Sequence, residues 1–266
     1  MRSSSWIDNA MILQRLATSI RKQDWFTVLI ETLIVVLGVF LGLQLGNWNE
    51  TRADRDREIQ IVSDMLADID IDRKQYANAM ALATRRIAAV NMSLDGAGLP
   101  TLSFEYDLPN AEDVSYNNDI LDRASTDILD PKYLWTNVVV GYFPTPSTST
   151  YDAMVGSGET RVMRNRQLVR SIQLYRNLTE SVATQNDKLI VIRAETMNIG
   201  AKYGLAPYLT VEPDSYYRML AEKPDLAAIT RILATFTIFH FGEIESANRQ
   251  AALLQAQLET YLETRP

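Results

Sequence analysis

Apolar positions change their spacing three times along this chain. From Phe26 to Leu45 they are nearly continuous, interrupted only by Thr27, Glu31, Thr32 and Gln44. About twenty residues rising about 1.5 Å each span about 30 Å, the thickness of a bilayer's hydrocarbon core, so the run predicts a membrane-spanning helix. A cleaved signal peptide would carry a shorter apolar core and a small-residue cleavage site; here Leu43-Gln44-Leu45-Gly46-Asn47-Trp48-Asn49-Glu50 follows, and an uncleaved anchor is expected. After the span, Ile59, Val62, Leu66, Ile69, Arg73, Tyr76, Met80, Ala83, Ile87, Val90 and Leu94 alternate steps of three and four, the period of a long helix. The span and this stripe predict one rod to about Leu94, stopped by Asp95-Gly96-Ala97-Gly98-Leu99-Pro100.

Residues 95–160 are less regular, with Pro100, Pro109, Pro131, Pro144 and Pro146. A short helix is expected near Ala111 to Ser125, and Leu134 to Phe143 reads equally as helix or strand. A second long helix is predicted from Met163 to Lys202, on Leu168, Ile172, Tyr175, Val182, Leu189 and Ile192, with Gly204 and Pro207 ending it. A third is predicted from Asp225 to Glu263, with Leu226, Ile229, Leu233, Phe236, His240, Ala247, Ala251, Leu254, Leu258 and Tyr261 as its seam. Its apolar stretch Ile232 to Phe241 is too short to cross a bilayer and reads as core. The expected fold is all-α: a single N-terminal transmembrane helix continuing into an elongated antiparallel helical bundle, with coiled-coil-like packing. The expected segments are 1–25, 26–46 and 47–266.

On the span, Gly38, Gly42 and Gly46 recur every four residues, and Glu31 lies seven before Gly38. At about 100° per residue these four share one side, a face suited to another helix; Gln44 points elsewhere. Glu31 is either a polar contact across a helix pair or a carboxylate that reaches back to the headgroups, being near the N-terminal end. Trp25 and Trp48 bracket the span as interfacial anchors. Before it, Trp6, Ile7, Ala10, Leu13, Leu16, Ala17 and Ile20 recur at helical spacing, with Arg15, Arg21 and Lys22 available to anionic headgroups; a frayed tail is the alternative. Arg15, Arg21 and Lys22 before the span nearly balance Arg52, Arg55 and Arg57 after it, and Arg2 tips orientation toward a cytoplasmic N-terminus.

Net charge is −7 over 266 residues, with the positive excess confined to residues 1–25. An acidic body without a basic stripe argues against nucleic acid as partner. Cysteine is absent, which removes disulfide, thiolate-zinc and thiol chemistry.

The run Trp25-Phe26-Thr27-Val28-Leu29-Ile30-Glu31, then Val35 to Gln44, then Asn47-Trp48-Asn49-Glu50 resembles an uncharacterised family of bacterial single-pass membrane proteins, a domain of unknown function. That family shows a Gly-Glu pair, an aliphatic Gly-containing span and an Asn-Trp-Asn-Glu exit. Thr150-Tyr151, Ser157-Gly158, Asn165 and Leu168 are similar to its second pattern; Ile30 stands where the family more often has Gly. The resemblance implies a bacterial inner-membrane protein whose helical domain lies outside the cytoplasm, in the periplasm, and implies no activity.

Candidate chemistry is sparse. Asp64, Asp68 and Asp72, with Asp70 nearby, read as a solvated helix face before they read as a site for Mg²⁺ or Ca²⁺. His240, the only histidine, reads as a core residue. Gly156-Ser157-Gly158-Glu159 reads as a turn, since it lacks the Lys-Ser/Thr of a phosphate loop. Tyr216, Tyr217 and Trp135 read as core or interface. No catalytic, cofactor or metal site is expected. The function this pattern suggests is a non-enzymatic oligomeric scaffold or interaction module held by the lipid bilayer, a homo-oligomer through its span with an unknown protein partner. The alternative is an extracytoplasmic ligand sensor that passes its signal through the span to a separate protein.

Overall fold

Helical periodicity settles nearly every element. The computed structural model describes residues 25–103 and 119–264, and among the described residues there are α-helices and 3₁₀ turns but no strand. The helices are α1 (Trp25–Gly96), α2 (Asp119–Arg123), α3 (Leu134–Val139), α4 (Ser149–Gly156), α5 (Arg166–Lys202), α6 (Pro213–Glu222) and α7 (Pro224–Glu263), with 3₁₀ turns at Pro131–Tyr133 and Glu159–Arg161. The chain is an all-α helical bundle.

Helix ends follow local chemistry. α1 stops where Gly98 takes φ +65°, and the Leu99 amide returns to the Leu94 carbonyl at 2.9 Å. α5 begins at Arg166, three residues later than the pattern of apolar residues predicts. The reason is Asn165, whose Oδ1 accepts from the Gln167 and Leu168 amides at 3.0 and 3.1 Å. The ambiguous stretch from Leu134 resolves as helix to Val139 and extended chain beyond it. Of the helix expected over 111–125, only Asp119–Arg123 is described as helix; its earlier part, and the surface helix expected in residues 1–24, lie outside the described residues.

The chain divides into two units, Met1–Arg57 and Glu58–Pro266. In the first, the described residues are helical and their side chains almost all exposed. The second holds two stacked apolar clusters. One joins Ile61–Ala79 of α1 to Leu168–Val182 of α5 and Ile244–Leu258 of α7; the other joins Ala83–Leu94 to Leu189 and to Leu226–Phe241. Numbers that rise along α1 and α5 fall along α7, so α7 runs antiparallel to both. The irregular connection between α1 and α5 therefore brings the chain back along the bundle.

The buried seam of α1 has a stricter period than the apolar residues suggest. Val62, Ile69, Tyr76, Ala83 and Val90 form one row at seven-residue spacing, as expected. The second row is Glu58, Met65, Asp72, Ala79, Arg86 and Ser93, all buried. The expected second row began at Ile59 and included Arg73; Ile59 is exposed, and Arg73 is half-buried with its Nη1 donating to Gln255 Oε1 at 2.7 Å. Its upper members Ile87 and Leu94 are buried as expected.

Trp135 lies across α5 at Gly200, where an added Cβ would stand 2.2 Å from Trp135 Cζ2. Gly200→Ala is therefore expected to lower stability by about 1–3 kcal/mol through overpacking. Gly156→Ala, whose Cβ would meet nothing within 4 Å, should leave it unchanged. Thermal unfolding of the two variants side by side checks the contrast.

Candidate functional site

Two sets of residues stand out: the apolar part of α1 and a group of buried polar side chains between α1, α5 and α7. Every residue singled out on the apolar segment lies on α1 and is exposed: Glu31, Gly38, Gly42, Gly46, Trp25 and Trp48. The segment's side chains are bare along its length, with Leu29 64 % and Val35 65 % exposed. A Cβ added at Gly38, Gly42 or Gly46 would meet nothing within 4 Å, so among the described residues no packing requires a glycine there. The hydroxyl of Thr32 donates to the Val28 carbonyl at 2.8 Å, which satisfies it inside the helix. Trp25 and Trp48 stand about 35 Å apart along the axis at 1.5 Å per residue, and the Arg52 guanidinium lies 5.9 Å from the Trp48 ring centroid. α7 is also long and apolar enough to span a membrane by composition. Its apolar stretch is core, however, with Leu233, Ala234, Thr237, Ile238, His240 and Phe241 buried.

The second set replaces an expectation. The acidic residues of α1, expected to form a solvated face, divide into two pairs. Asp64 and Asp70 are exposed and meet Gln60 and Lys74 one turn away. Asp72 is fully buried: its Oδ1 accepts from the Ser147 amide at 2.7 Å, and its Oδ2 accepts from the Tyr175 hydroxyl at 2.6 Å. Asp68 accepts from the Thr150 amide at 3.3 Å. Burial pushes the Asp72 carboxyl above its ordinary range, opposed by its two donors and reinforced by the Asp68 charge. The Tyr76 hydroxyl lies 3.3 Å from that of Tyr175, and burial raises the pKa of both phenols.

Glu58 and Arg86 sit fourteen residues to either side of Asp72 on the same row. Glu58 Oε1 accepts from the Arg164 amide at 2.9 Å and from the Tyr261 hydroxyl. Arg86, 2 % exposed, donates to Val138 O at 2.9 Å, Val140 O at 3.0 Å and Thr237 Oγ1 at 2.9 Å. Arg193 donates to the intervening Val139 O at 2.5 Å. Both guanidinia thus terminate α3, whose last carbonyls have no helical partner. Burial, and secondarily the Arg193 charge, lowers the Arg86 pKa to about 10, which leaves it charged at neutral pH. Gly141 admits this contact, because a Cβ there would stand 2.2 Å from Arg86 Nη2.

His240 is buried, as expected, and its Nε2 lies 2.7 Å from Asn186 Oδ1. Gly158 adopts φ +72° between α4 and the following 3₁₀ turn, in accord with the turn reading. Trp135 and Tyr216 are core, in an edge-on pair with centroids 6.4 Å apart. Among the described residues, no group of three or more His, Asp or Glu side chains is placed to hold a metal ion. Sequence reasoning missed Asp72, Arg86 and Glu58 because charge outweighed position; their fourteen-residue spacing on a heptad row was the available signal. Comparison with protein-family models, with curated proteins and with solved structures finds no match.

Arg86→Met keeps the bulk of the side chain but leaves two buried carbonyls without donors. A loss of about 3–5 kcal/mol is expected, against about 1 kcal/mol for Thr237→Ala. Chemical unfolding of both variants at neutral pH measures it.

Proposed function

We propose that this chain is a non-enzymatic, membrane-anchored helical protein of the bacterial envelope that self-associates through residues 26–46. The Glu58–Pro266 bundle serves as a module for a protein partner. In this reading the N-terminus is cytoplasmic and the bundle periplasmic at the inner membrane. The observation that carries it is the apolar segment of α1, whose side chains are exposed along its length. Lipid can solvate such a surface, and its backbone groups are already paired within the helix. Glycines that no internal packing requires let a second helix approach closely, and Glu31 on the same side then finds a partner away from lipid. The interior polar groups support a non-enzymatic role: Glu58, Asp72 and Arg86 are each engaged in holding main chain.

The absence of native cysteine makes single-cysteine crosslinking in membranes a clean test. Gly38→Cys should be captured as a dimer several-fold more than Leu41→Cys; equal capture overturns the glycine-faced interface. Glu31→Leu should reduce capture of the Gly38→Cys chain, whereas unchanged capture assigns Glu31 to the headgroups.

A second reading, ligand sensing, draws on an open cleft of about 420 Å³ between Asn165, Leu168, Leu253 and Tyr261. Gentle detergent purification followed by mass spectrometry separates the two. A retained protein without a small molecule is expected for a scaffold; a stoichiometric small molecule favours sensing.

A further inference from the structure

Between α3 and α4 the chain is neither helix nor strand from Val140 to Thr148. Among the described residues, its main chain takes no main-chain hydrogen bond from Gly141 to Ser147. Side chains of the long helices hold it instead. Arg86 binds Val140 O; Asn186 Nδ2 binds Pro144 O at 2.7 Å; Gln75 accepts from the Thr145 amide at 2.7 Å and donates to Thr145 O at 3.2 Å; Asp72 accepts from the Ser147 amide. A segment held this way can leave without unwinding a helix.

His240 lies behind it. Because the Asn186 amide nitrogen is committed to Pro144 O, the Asn186 oxygen faces His240, and His240 Nε2 must carry the proton of the neutral ring. The Phe143 ring, part of the same segment, sits 6.3 Å from the imidazole centroid. The charged groups around the ring are unfavourable to a second cation. Arg86 approaches from α1, with Arg193 of α5 beside it. Glu243, one turn along α7, is bonded to Ser181 at 2.8 Å. The covering segment contributes no ionisable side chain except Tyr142.

We propose that Val140–Ser147 is an acid-released strap, with His240, which takes its second proton at Nδ1, as the trigger. With the strap closed, an imidazolium is confined among buried groups beside Arg86; with the strap open, it is hydrated. Acid therefore drives opening. Burial, then the Arg86 charge, lowers the His240 pKa to about 4 in the closed state, against about 6.5 in water. The open state binds more protons between those values, so the closed state loses stability as pH falls from about 6.5 toward about 4. Linkage gives about twenty-fold more opening at pH 5 than at pH 7. This device is independent of the role proposed for the apolar segment.

Amide hydrogen exchange on the full chain in detergent, corrected for the intrinsic pH dependence, tests it. Protection of the Thr145 amide should fall about twenty-fold from pH 7 to pH 5 while staying well below that of Leu189 in α5, whose exchange requires global unfolding. In His240→Gln, which can still donate to Asn186 but does not titrate, Thr145 protection should not fall, because Asp72, whose carboxyl burial pushes up, favours the closed strap in acid. Constant protection in the native chain, an equal fall in His240→Gln, or Thr145 protection as high as that of Leu189 each overturns the proposal. Should His240→Gln fail to fold, the single histidine of the native chain can be titrated by NMR. A ring pKa below 5 is expected, and one near 6.5 overturns the proposal.

Discussion

Apolar surface that its own chain does not cover must be covered by something else, and on α1 this constraint falls on residues 26–45. Leu29, Leu33, Ile34, Val35, Val36, Val39, Phe40, Leu41, Leu43 and Leu45 are each more than half exposed. Covering them is worth on the order of 20 kcal/mol at about 1.5–3 kcal/mol per large aliphatic side chain. That exceeds the net stability of an ordinary domain, about 5–15 kcal/mol. A bilayer supplies such cover along the full length of the segment, and a second copy of the helix supplies it along one side.

Within Glu58–Pro266 the governing constraint is polar. Among its described residues the connection between α1 and α5 makes its return without a sheet to pair its amides and carbonyls, and buried main chain cannot be left unpaired. α1 provides several of the partners from one row of its heptad seam, with Gln75 beside that row and Asn186 and Arg193 of α5 adding others. Carboxylates at Glu58 and Asp72 receive amides of Arg164 and Ser147, and the guanidinium of Arg86 serves carbonyls of Val138 and Val140. The sign of each charge suits the group it meets. Ionisable residues at seam positions cost stability compared with leucine, but they fix which stretch of backbone lies where.

Helix existence was legible because three long periodic patterns leave no alternative period, and the predicted boundaries of the third fall within a residue of those of α7. His240 was legible as core because it sits among Leu233, Phe236 and Ala247 in one seam. The rotation of α1 was less so. A reading that seeks apolar residues passes over Glu58, Asp72 and Arg86 and selects Ile59 and Arg73 instead. The strap was opaque for a different reason: Gln75, Asn186 and Asp72 hold main-chain atoms far away in sequence, and no local pattern marks a side chain that pairs with distant backbone. The glycines of the apolar segment were visible as a row, and a Cβ at any of the three would meet nothing within 4 Å.

Membrane anchoring by residues 26–46 is tested most directly by alkaline carbonate extraction of bacterial membranes carrying the full chain, beside a chain that begins at Glu58. Anchoring predicts that the full chain stays with the lipid pellet and the shortened chain enters the supernatant. Release of the full chain into the supernatant would contradict it.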